Sequence, residues 1–125
     1  MRKRSILSGA AALLSTSMWL FSPSALAHAH LTSSEPADNA TVAASPQALT
    51  LTFSEDVEPA FSGVTLMRAD NHALDSGKAQ QDAQQHNRLI LPLKTTLAAG
   101  DYQVKWHVLS VDGHKTQGSY RFRVK

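Results

Sequence analysis

The chain has 125 residues, contains no cysteine, and carries twelve Lys and Arg residues against ten Asp and Glu residues. This length suits one domain with a single hydrophobic core. The absence of cysteine excludes disulfide bonds, cysteine nucleophiles and the thiolate ligands of structural zinc and iron–sulfur sites. A metal would therefore have to be bound through nitrogen, oxygen or thioether ligands.

The first 27 residues have the three parts of a secretory signal peptide. Residues 2–4 are basic, residues 6–21 are mostly apolar, and Ala25-Leu26-Ala27 is a small-x-small cleavage pattern. We predict cleavage after Ala27, which would leave a mature domain of residues 28–125 in the bacterial periplasm. The alternative is that the apolar segment stays in place as an uncleaved N-terminal anchor.

Cleavage would also change the charge balance. Three of the twelve Lys and Arg residues but none of the ten acidic residues precede residue 28, which leaves nine basic against ten acidic side chains. This balance provides no basic stripe of the kind that binds nucleic acid. The mature sequence has no apolar stretch long enough to span a bilayer. We therefore expect neither nucleic-acid binding nor a membrane-embedded mature protein.

Cleavage after Ala27 would make His28 the first residue of the mature protein. A free N-terminal histidine offers its α-amine and Nδ1 as two nitrogen ligands, which suits Cu(II) in a square arrangement. The alternative is that His28 follows the cleavage site by chance.

A second copper geometry would need no fold. In free His28-Ala29-His30, the amine, two deprotonated backbone amides and the His30 imidazole could surround Cu(II) or Ni(II) with four nitrogens. We expect Leu31 to be buried as the first strand begins, so that His30 points outward and its amides are needed by the sheet. This expectation favours a folded site over the three-residue motif.

The mature chain shows period-2 alternation of apolar and polar residues, which is typical of half-buried strands. Predicted strands cover residues 47–53, 63–67, 88–93, 100–108 and 119–124. Pro92 indicates an edge or a strand end. The segment 69–87 is polar and Gln-rich, and we interpret it as a long solvated loop or a loop with a weak strand. The pattern predicts an all-β fold, a β-sandwich or small barrel with Greek-key connections.

His114 lies just beyond the clearest predicted strand, in the sequence Asp112-Gly113-His114. The alternation breaks at Val108-Leu109, where a bulge or bend would place this sequence on a rim loop. In a locally extended segment positions i and i+2 point the same way, so Asp112 and His114 could face one site. The alternative is an ordinary Asp-Gly turn with an exposed histidine.

The same segment contains a serine, an aspartate and a histidine at alternate positions, namely Ser110, Asp112 and His114. A hydrolytic triad needs its base between the other two groups in space. Spacing of i, i+2 and i+4 does not by itself build that relay, and we set this interpretation aside.

Two acidic residues, Glu55 and Asp56, follow the predicted strand 47–53 directly. An acid pair at a strand end is usually a solvated edge. The alternative is that it supplies an oxygen ligand, or an acceptor for the N–H of a ligating imidazole.

A soft Cu(I) site is disfavoured, because such a site would require several thioethers. Met67 is the only methionine after residue 27. Met67 with His72 or His86 is the remaining combination, but both histidines lie in the polar segment.

In chain order, several segments together resemble the CopC-type copper-binding proteins of the bacterial periplasm, and in particular the short, YobA-like members of that family. The matching segments are His28-Ala29-His30-Leu31, Ser33-Ser34-Glu35-Pro36-Ala37, Phe53-Ser54-Glu55, Phe61-Ser62-Gly63, Leu97-Ala98-Ala99-Gly100-Asp101-Tyr102, Val104-Lys105-Trp106, and Ser110-Val111-Asp112-Gly113-His114 followed by Gly118. They cover essentially all of the mature chain.

The resemblance implies a Greek-key β-sandwich, Ig-like or resembling a small cupredoxin barrel, with one Cu(II) bound per mature chain at one end. It implies that His28 gives its amine and imidazole, that His114 gives a second imidazole, and that Asp112 gives a carboxylate. Glu55 matches a family acid near the site. The longer resistance members carry a Met-rich loop for Cu(I), which this chain lacks.

The resemblance further implies a copper-binding protein for homeostasis, tolerance or delivery rather than an enzyme, with an inner-membrane CopD-type protein as partner. One alternative is a copper oxidase or monooxygenase, in which a histidine brace also combines an N-terminal histidine with a second one, and another is a structural domain that binds no metal. An enzyme of this kind needs an open coordination position and a substrate surface. Trp106, the only tryptophan of the mature chain, is instead expected in the core.

Overall fold

The computed structural model describes residues 28–125. The predicted signal peptide, residues 1–27, lies outside the described residues. Within residues 28–125, no helix is long and apolar enough to cross a membrane.

The described part of the chain folds into two four-stranded sheets. Its strands, in chain order, are β1 (Leu31–Glu35), β2 (Thr41–Val42), β3 (Ala48–Phe53), β4 (Gly63–Arg68), β5 (Gln80–Gln81), β6 (Arg88–Pro92), β7 (Gly100–Leu109) and β8 (Lys115–Val124). The first sheet has the order β1-β3-β6-β5 and the second has the order β2-β8-β7-β4. A short 3-10 helix, Pro59–Phe61, lies between β3 and β4. The predicted all-β sandwich is confirmed.

The core lies between the two sheets and is built from alternate residues of the strands, as period-2 patterning requires. The buried strand residues are Leu49, Leu51, Phe53, Val64, Leu66, Leu89, Leu91, Tyr102, Val104, Trp106, Val108, Tyr120, Phe122 and Val124. Phe53 and Trp106 join the two sheets in an edge-to-face contact, with ring centroids 5.1 Å apart. Trp106 is only 9% exposed, which confirms the prediction that it belongs to the core.

The longest strands, β7 and β8, form an antiparallel hairpin that is paired without interruption from Gly100↔Val124 to Leu109↔Lys115. The predicted bulge at Val108-Leu109 is therefore wrong. Val108 is buried and Leu109 lies on the opposite face with partial exposure, so the alternation continues although both residues are apolar. A register shift occurs instead in β1, between Leu31 and Ser33.

The shorter elements differ most from the predicted ones. β2 pairs parallel to β8 through Thr41↔Arg123 and Val42↔Val124, which the sequence pattern did not predict. β5 is the weak strand within the polar segment, and it pairs with β6. Pro92 is the last residue of β6, which lies between β3 and β5, so it marks a strand end rather than an edge strand.

Candidate metal site

The segment before β1 is anchored to both sheets. Ala29 is buried at 1% exposure, while His28 and His30 on either side of it are exposed. The Thr116 hydroxyl donates to the Ala29 carbonyl at 2.8 Å. The amide of His30 donates to Ser54 Oγ at 3.0 Å, and the amide of Ser54 donates to the His30 carbonyl at 2.9 Å. These contacts fix the position from which the His28 side chain projects.

The second part of the site is the tight turn between β7 and β8. The amide of Ser110 donates to the His114 carbonyl at 2.9 Å, and the amide of Gly113 donates to the Ser110 carbonyl at 2.9 Å. Gly113 has φ +92°, a value that side chains other than glycine rarely adopt. Asp112 and His114 therefore come together through a turn, which was one of the two alternatives from the sequence, and not through a locally extended segment.

The fold brings the rings of His28 and His114 together although 85 residues separate them in the chain. Their ring centroids are 4.4 Å apart, and the ring planes are nearly perpendicular at 81°. The anchored N-terminal segment supplies one ring and the β7–β8 turn supplies the other. Two imidazoles at this distance offer nitrogen ligands from two independent supports.

Asp112 contacts His114 on the side chain and on the backbone. Its Oδ1 lies 3.2 Å from His114 Nδ1 and accepts from the His114 amide at 3.3 Å. The Ser110 hydroxyl also donates to Oδ1. Since Asp112 occupies Nδ1, the ring nitrogen of His114 left for a metal is Nε2.

The hydrogen bond from the Ser110 hydroxyl is the main cause that lowers the pKa of Asp112 below its usual value. Partial desolvation acts in the opposite direction, and the hydrogen bonds and charge of His114 lower the pKa further. Each of these hydrogen bonds stabilises the charged form of the carboxyl. At neutral pH Asp112 is therefore an ionised carboxylate beside the imidazole.

Glu55 lies at the same end of the molecule, but no described contact joins it to either histidine. It is half-buried between Ser54, whose Oγ lies 3.5 Å from the His28 carbonyl, and Asp56, whose carbonyl accepts from the Val111 amide at 3.1 Å. Its backbone therefore connects the two supports of the histidine pair. Its side chain makes no hydrogen bond or ion pair within residues 28–125.

The other candidate ligands are not brought into this site. His30 is exposed, as predicted, and its amide is engaged by Ser54. His72 pairs with Asp70 at 2.9 Å in an exposed turn after β4. Met67 is in β4, where it pairs with Gln103 of β7, and His86 is an exposed loop residue.

Within residues 28–125, no group of three or more His, Asp or Glu side chains is gathered closely enough to hold a metal ion. The arrangement is a pair of imidazoles with a carboxylate bonded to one of them. The donor set fits Cu(II), which favours imidazole nitrogen, if one more nitrogen completes it. The main-chain nitrogen of His28 becomes an amine only when the preceding peptide bond is cut.

Three residues that organise the site were missed as such by the sequence analysis: Ser54, Ser110 and Thr116. Alternation did carry one signal, because Ser110 follows Val108 by two positions and therefore falls on the buried face. A polar residue at a core position indicates a specific hydrogen-bonding role. Ser54 and Thr116 gave no comparable signal, since their partners are backbone atoms distant in the chain.

A two-sheet β-sandwich with an imidazole pair at one end is the framework of a small metal-binding domain. The chain belongs to the CopC domain family, whose domain matches residues 31–125. Relatives in this family carry the name copper resistance protein C, which describes copper resistance and names no enzymatic activity.

Two relatives illustrate the family. The chain is 51% identical to Protein YobA of Escherichia coli (strain K12), over 93% of this chain and 92% of the relative. It is 37% identical to Copper resistance protein C of Xanthomonas campestris pv. juglandis, over 85% of this chain and 87% of the relative.

Two crystal structures have the same fold. CopC from Methylosinus trichosporium OB3b aligns with a TM-score of 0.74 and 36% identity, over 78% of this chain and 94% of that one. PcoC, a methionine-rich copper resistance protein from Escherichia coli, aligns with a TM-score of 0.71 and 34% identity, over 79% of this chain and all of that one.

Proposed function

We propose that the mature chain, beginning at His28, is a periplasmic protein that binds one Cu(II) for copper homeostasis, tolerance or delivery. The proposed ligands are the amine and imidazole of His28 and Nε2 of His114, with carboxylate from Asp112 and Glu55. The observation that carries this proposal is the pair of rings of His28 and His114, 4.4 Å apart. The names of the relatives, which describe copper resistance, support the choice of metal.

The hydrogen bonds of the N-terminal segment favour this folded site over the motif His28-Ala29-His30. That motif requires the backbone amide of His30 to lose its proton and bind the metal. In the folded chain this amide donates to Ser54 Oγ at 3.0 Å. The motif would have to break this bond and the paired bond from the Ser54 amide to the His30 carbonyl.

The two acidic residues make different contributions to the proposal. Asp112 uses Oδ1 to hold His114, so it orients the ring and has Oδ2 left to offer to a metal. Glu55 is supported only by its location at the same end of the molecule and by the family resemblance. Both carboxylates would add negative charge around a divalent cation.

The proposal includes a protein partner, such as an inner-membrane protein of the CopD type, that docks near the site. Among residues 28–125, the exposed large hydrophobic side chains are Phe61 and Val111. Val111 precedes Asp112, and the loop that contains Phe61 is bonded to the end of β7 through Glu58 and Ser62. Exposed apolar groups beside a metal site support docking of a partner there.

A competition titration of the mature protein against chelators of known affinity tests the proposed function. We expect one Cu(II) per chain, bound far more tightly than Zn(II), because nitrogen ligands and the divalent affinity order both favour copper. Binding should weaken as the pH falls, because the amine and the imidazoles must be deprotonated to bind. Cu(I) should bind weakly, since Met67 is the only thioether of the mature chain. Equal affinities for Cu(II) and Zn(II) would contradict the proposal.

A further inference from the structure

Ser110 is a polar residue at a buried position, where an apolar residue is expected. It is 1% exposed, directly follows β7 and forms a bridge with Val57. Among residues 28–125, the other side chains with an exposure of 1% or less are apolar. A hydroxyl buried without partners would lower stability, so its presence here has to be explained by the groups that it contacts.

The Ser110 hydroxyl contacts both of the other polar residues of the β7–β8 turn, Asp112 and His114. It donates to Asp112 Oδ1, and it lies 3.2 Å from the carbonyl and 3.3 Å from the amide of His114. The backbone of Ser110 closes the same turn by a separate bond, from its amide to the His114 carbonyl at 2.9 Å. The turn thus has a backbone closure that does not need the hydroxyl, and a side-chain contact that reaches Asp112.

The contact with Asp112 extends to the ring of His114. Asp112 is 36% exposed on its side chain and would otherwise be able to rotate toward solvent. Held by Ser110, its Oδ1 lies 3.2 Å from His114 Nδ1. A carboxylate on one ring nitrogen fixes both the orientation of the imidazole and the tautomer that leaves the other nitrogen unprotonated.

We propose that Ser110 is a positioning residue for the metal site, which acts through Asp112 to hold His114 in the tautomer and orientation that present Nε2. This inference rests on the proposed function for its consequence in copper binding. The effect of Ser110 on the tautomer and orientation of His114 concerns the metal-free protein alone. Ser110 itself is not proposed to touch the metal.

The first test is made on the metal-free mature protein by nitrogen NMR of the imidazole rings, well above the ordinary imidazole pKa of about 6.5. We expect His114 in the original protein to carry its proton on Nδ1. In Ser110→Ala the two tautomers should become mixed, while Ser110→Thr, which keeps a hydroxyl, should retain the original one. An unchanged tautomer in Ser110→Ala would overturn the inference, whether or not copper binds.

The second test compares Cu(II) affinities by competition. Ser110→Ala should weaken binding about tenfold, the lower end of what loss of an outer-sphere partner costs, and Ser110→Thr should stay near the original value. If His114→Ala weakens binding but Ser110→Ala does not, Ser110 has no positioning role and the proposed function stands. If His114→Ala also leaves affinity unchanged, the proposed function fails, and the tautomer measurement still decides the role of Ser110.

A matched pair separates loss of the hydroxyl from altered packing. Ser110→Thr and Ser110→Val have nearly the same shape and differ in the hydroxyl, so any cost of overpacking is common to both. The inference predicts the original tautomer and near-original affinity for the threonine variant, and loss of both for the valine variant. Identical behaviour of the two variants would contradict it. This pair also replaces Ser110→Ala should that variant fail to fold.

Discussion

Tyr120, in β8, is buried at 4% exposure, and no residue in the described part of the chain forms a hydrogen bond with its hydroxyl. Burial is the main cause that raises the pKa of Tyr120 to about 12, and the charge of Asp38 acts in the same direction. The folded protein therefore keeps this proton at pH values where the unfolded chain has lost it. Stability that depends on the neutral phenol is complete below about pH 10 and decreases as the pH rises from there toward 12.

We expect Tyr120→Phe to remove this alkaline loss, because phenylalanine has no proton to release. Between about pH 10 and 12 the original protein should lose about 2–3 kcal/mol of stability through this group, at about 1.4 kcal/mol per pKa unit. Urea unfolding of both proteins across this range measures the difference, and the lysines that titrate there cancel in the comparison. Parallel pH profiles would show that the phenol of Tyr120 ionises equally in both states.

At the same scale, the chemical type of the candidate ligands could be predicted from the sequence. The hydrogen bonds that hold the N-terminal segment in place could not. His28 and His114 stand out because a cleavage pattern precedes one and an Asp-Gly turn precedes the other. The bonds from Thr116 to Ala29 and from Ser54 to His30 join backbone atoms distant in sequence. No local pattern encodes such a pair, because any serine or threonine can form it once the fold brings a carbonyl or an amide nearby.

At the scale of elements, the β7–β8 hairpin sets the position of the site because its turn carries Ser110, Asp112 and His114. The long alternating runs made both strands predictable. The exact register of their pairing could not be predicted. The adjacent apolar residues Val108 and Leu109 suggested a bulge, which the structure lacks. The parallel pairing of β2 with β8 was unpredictable, because two residues carry no period and the pairing depends on where the rest of the sandwich places them.

Packing within this hairpin depends on Gly118, which lies opposite Trp106. A Cβ at position 118 would come within 2.5 Å of Cζ2 of the Trp106 indole, closer than atoms can approach. We expect Gly118→Ala to lower the free energy of unfolding by about 1–3 kcal/mol through overpacking. Ser119→Ala, at the adjacent exposed position, is the matched control and should change stability by less than about 0.5 kcal/mol. Equal effects in the two variants would contradict this account of the indole's position.

At the scale of the whole molecule, the proposed site depends on removal of the proposed signal peptide. The histidine pair is formed by the described fold, yet the nitrogen of His28 is a peptide nitrogen until the bond to Ala27 is cut. A peptide nitrogen that is still protonated has no lone pair to donate to a metal. The proposal therefore makes removal of residues 1–27 a condition for tight copper binding.

We expect the protein isolated from the periplasm to have the mass of residues 28–125. A variant of the mature chain with one added glycine before His28 keeps the fold and both imidazoles but moves the amine away from His28. It should bind Cu(II) at least about tenfold more weakly than the chain that begins at His28, since loss of a ligand should cost at least as much as loss of an outer-sphere partner. Equal affinity in the two chains would mean that the amine is not a ligand.

The central claim is that copper is bound by the folded pair His28 and His114 rather than by His28-Ala29-His30. It is tested most directly by Cu(II) competition titration, with electron paramagnetic resonance spectra, of His114→Ala, His30→Ala and the double variant. The double variant is needed because loss of His114 could let copper move to the three-residue motif, which the change in spectrum would reveal. We predict that His114→Ala lowers affinity sharply and alters the spectrum, that His30→Ala changes both little, and that the double variant binds most weakly. The claim is contradicted if His114→Ala leaves affinity and spectrum unchanged while His30→Ala lowers the affinity.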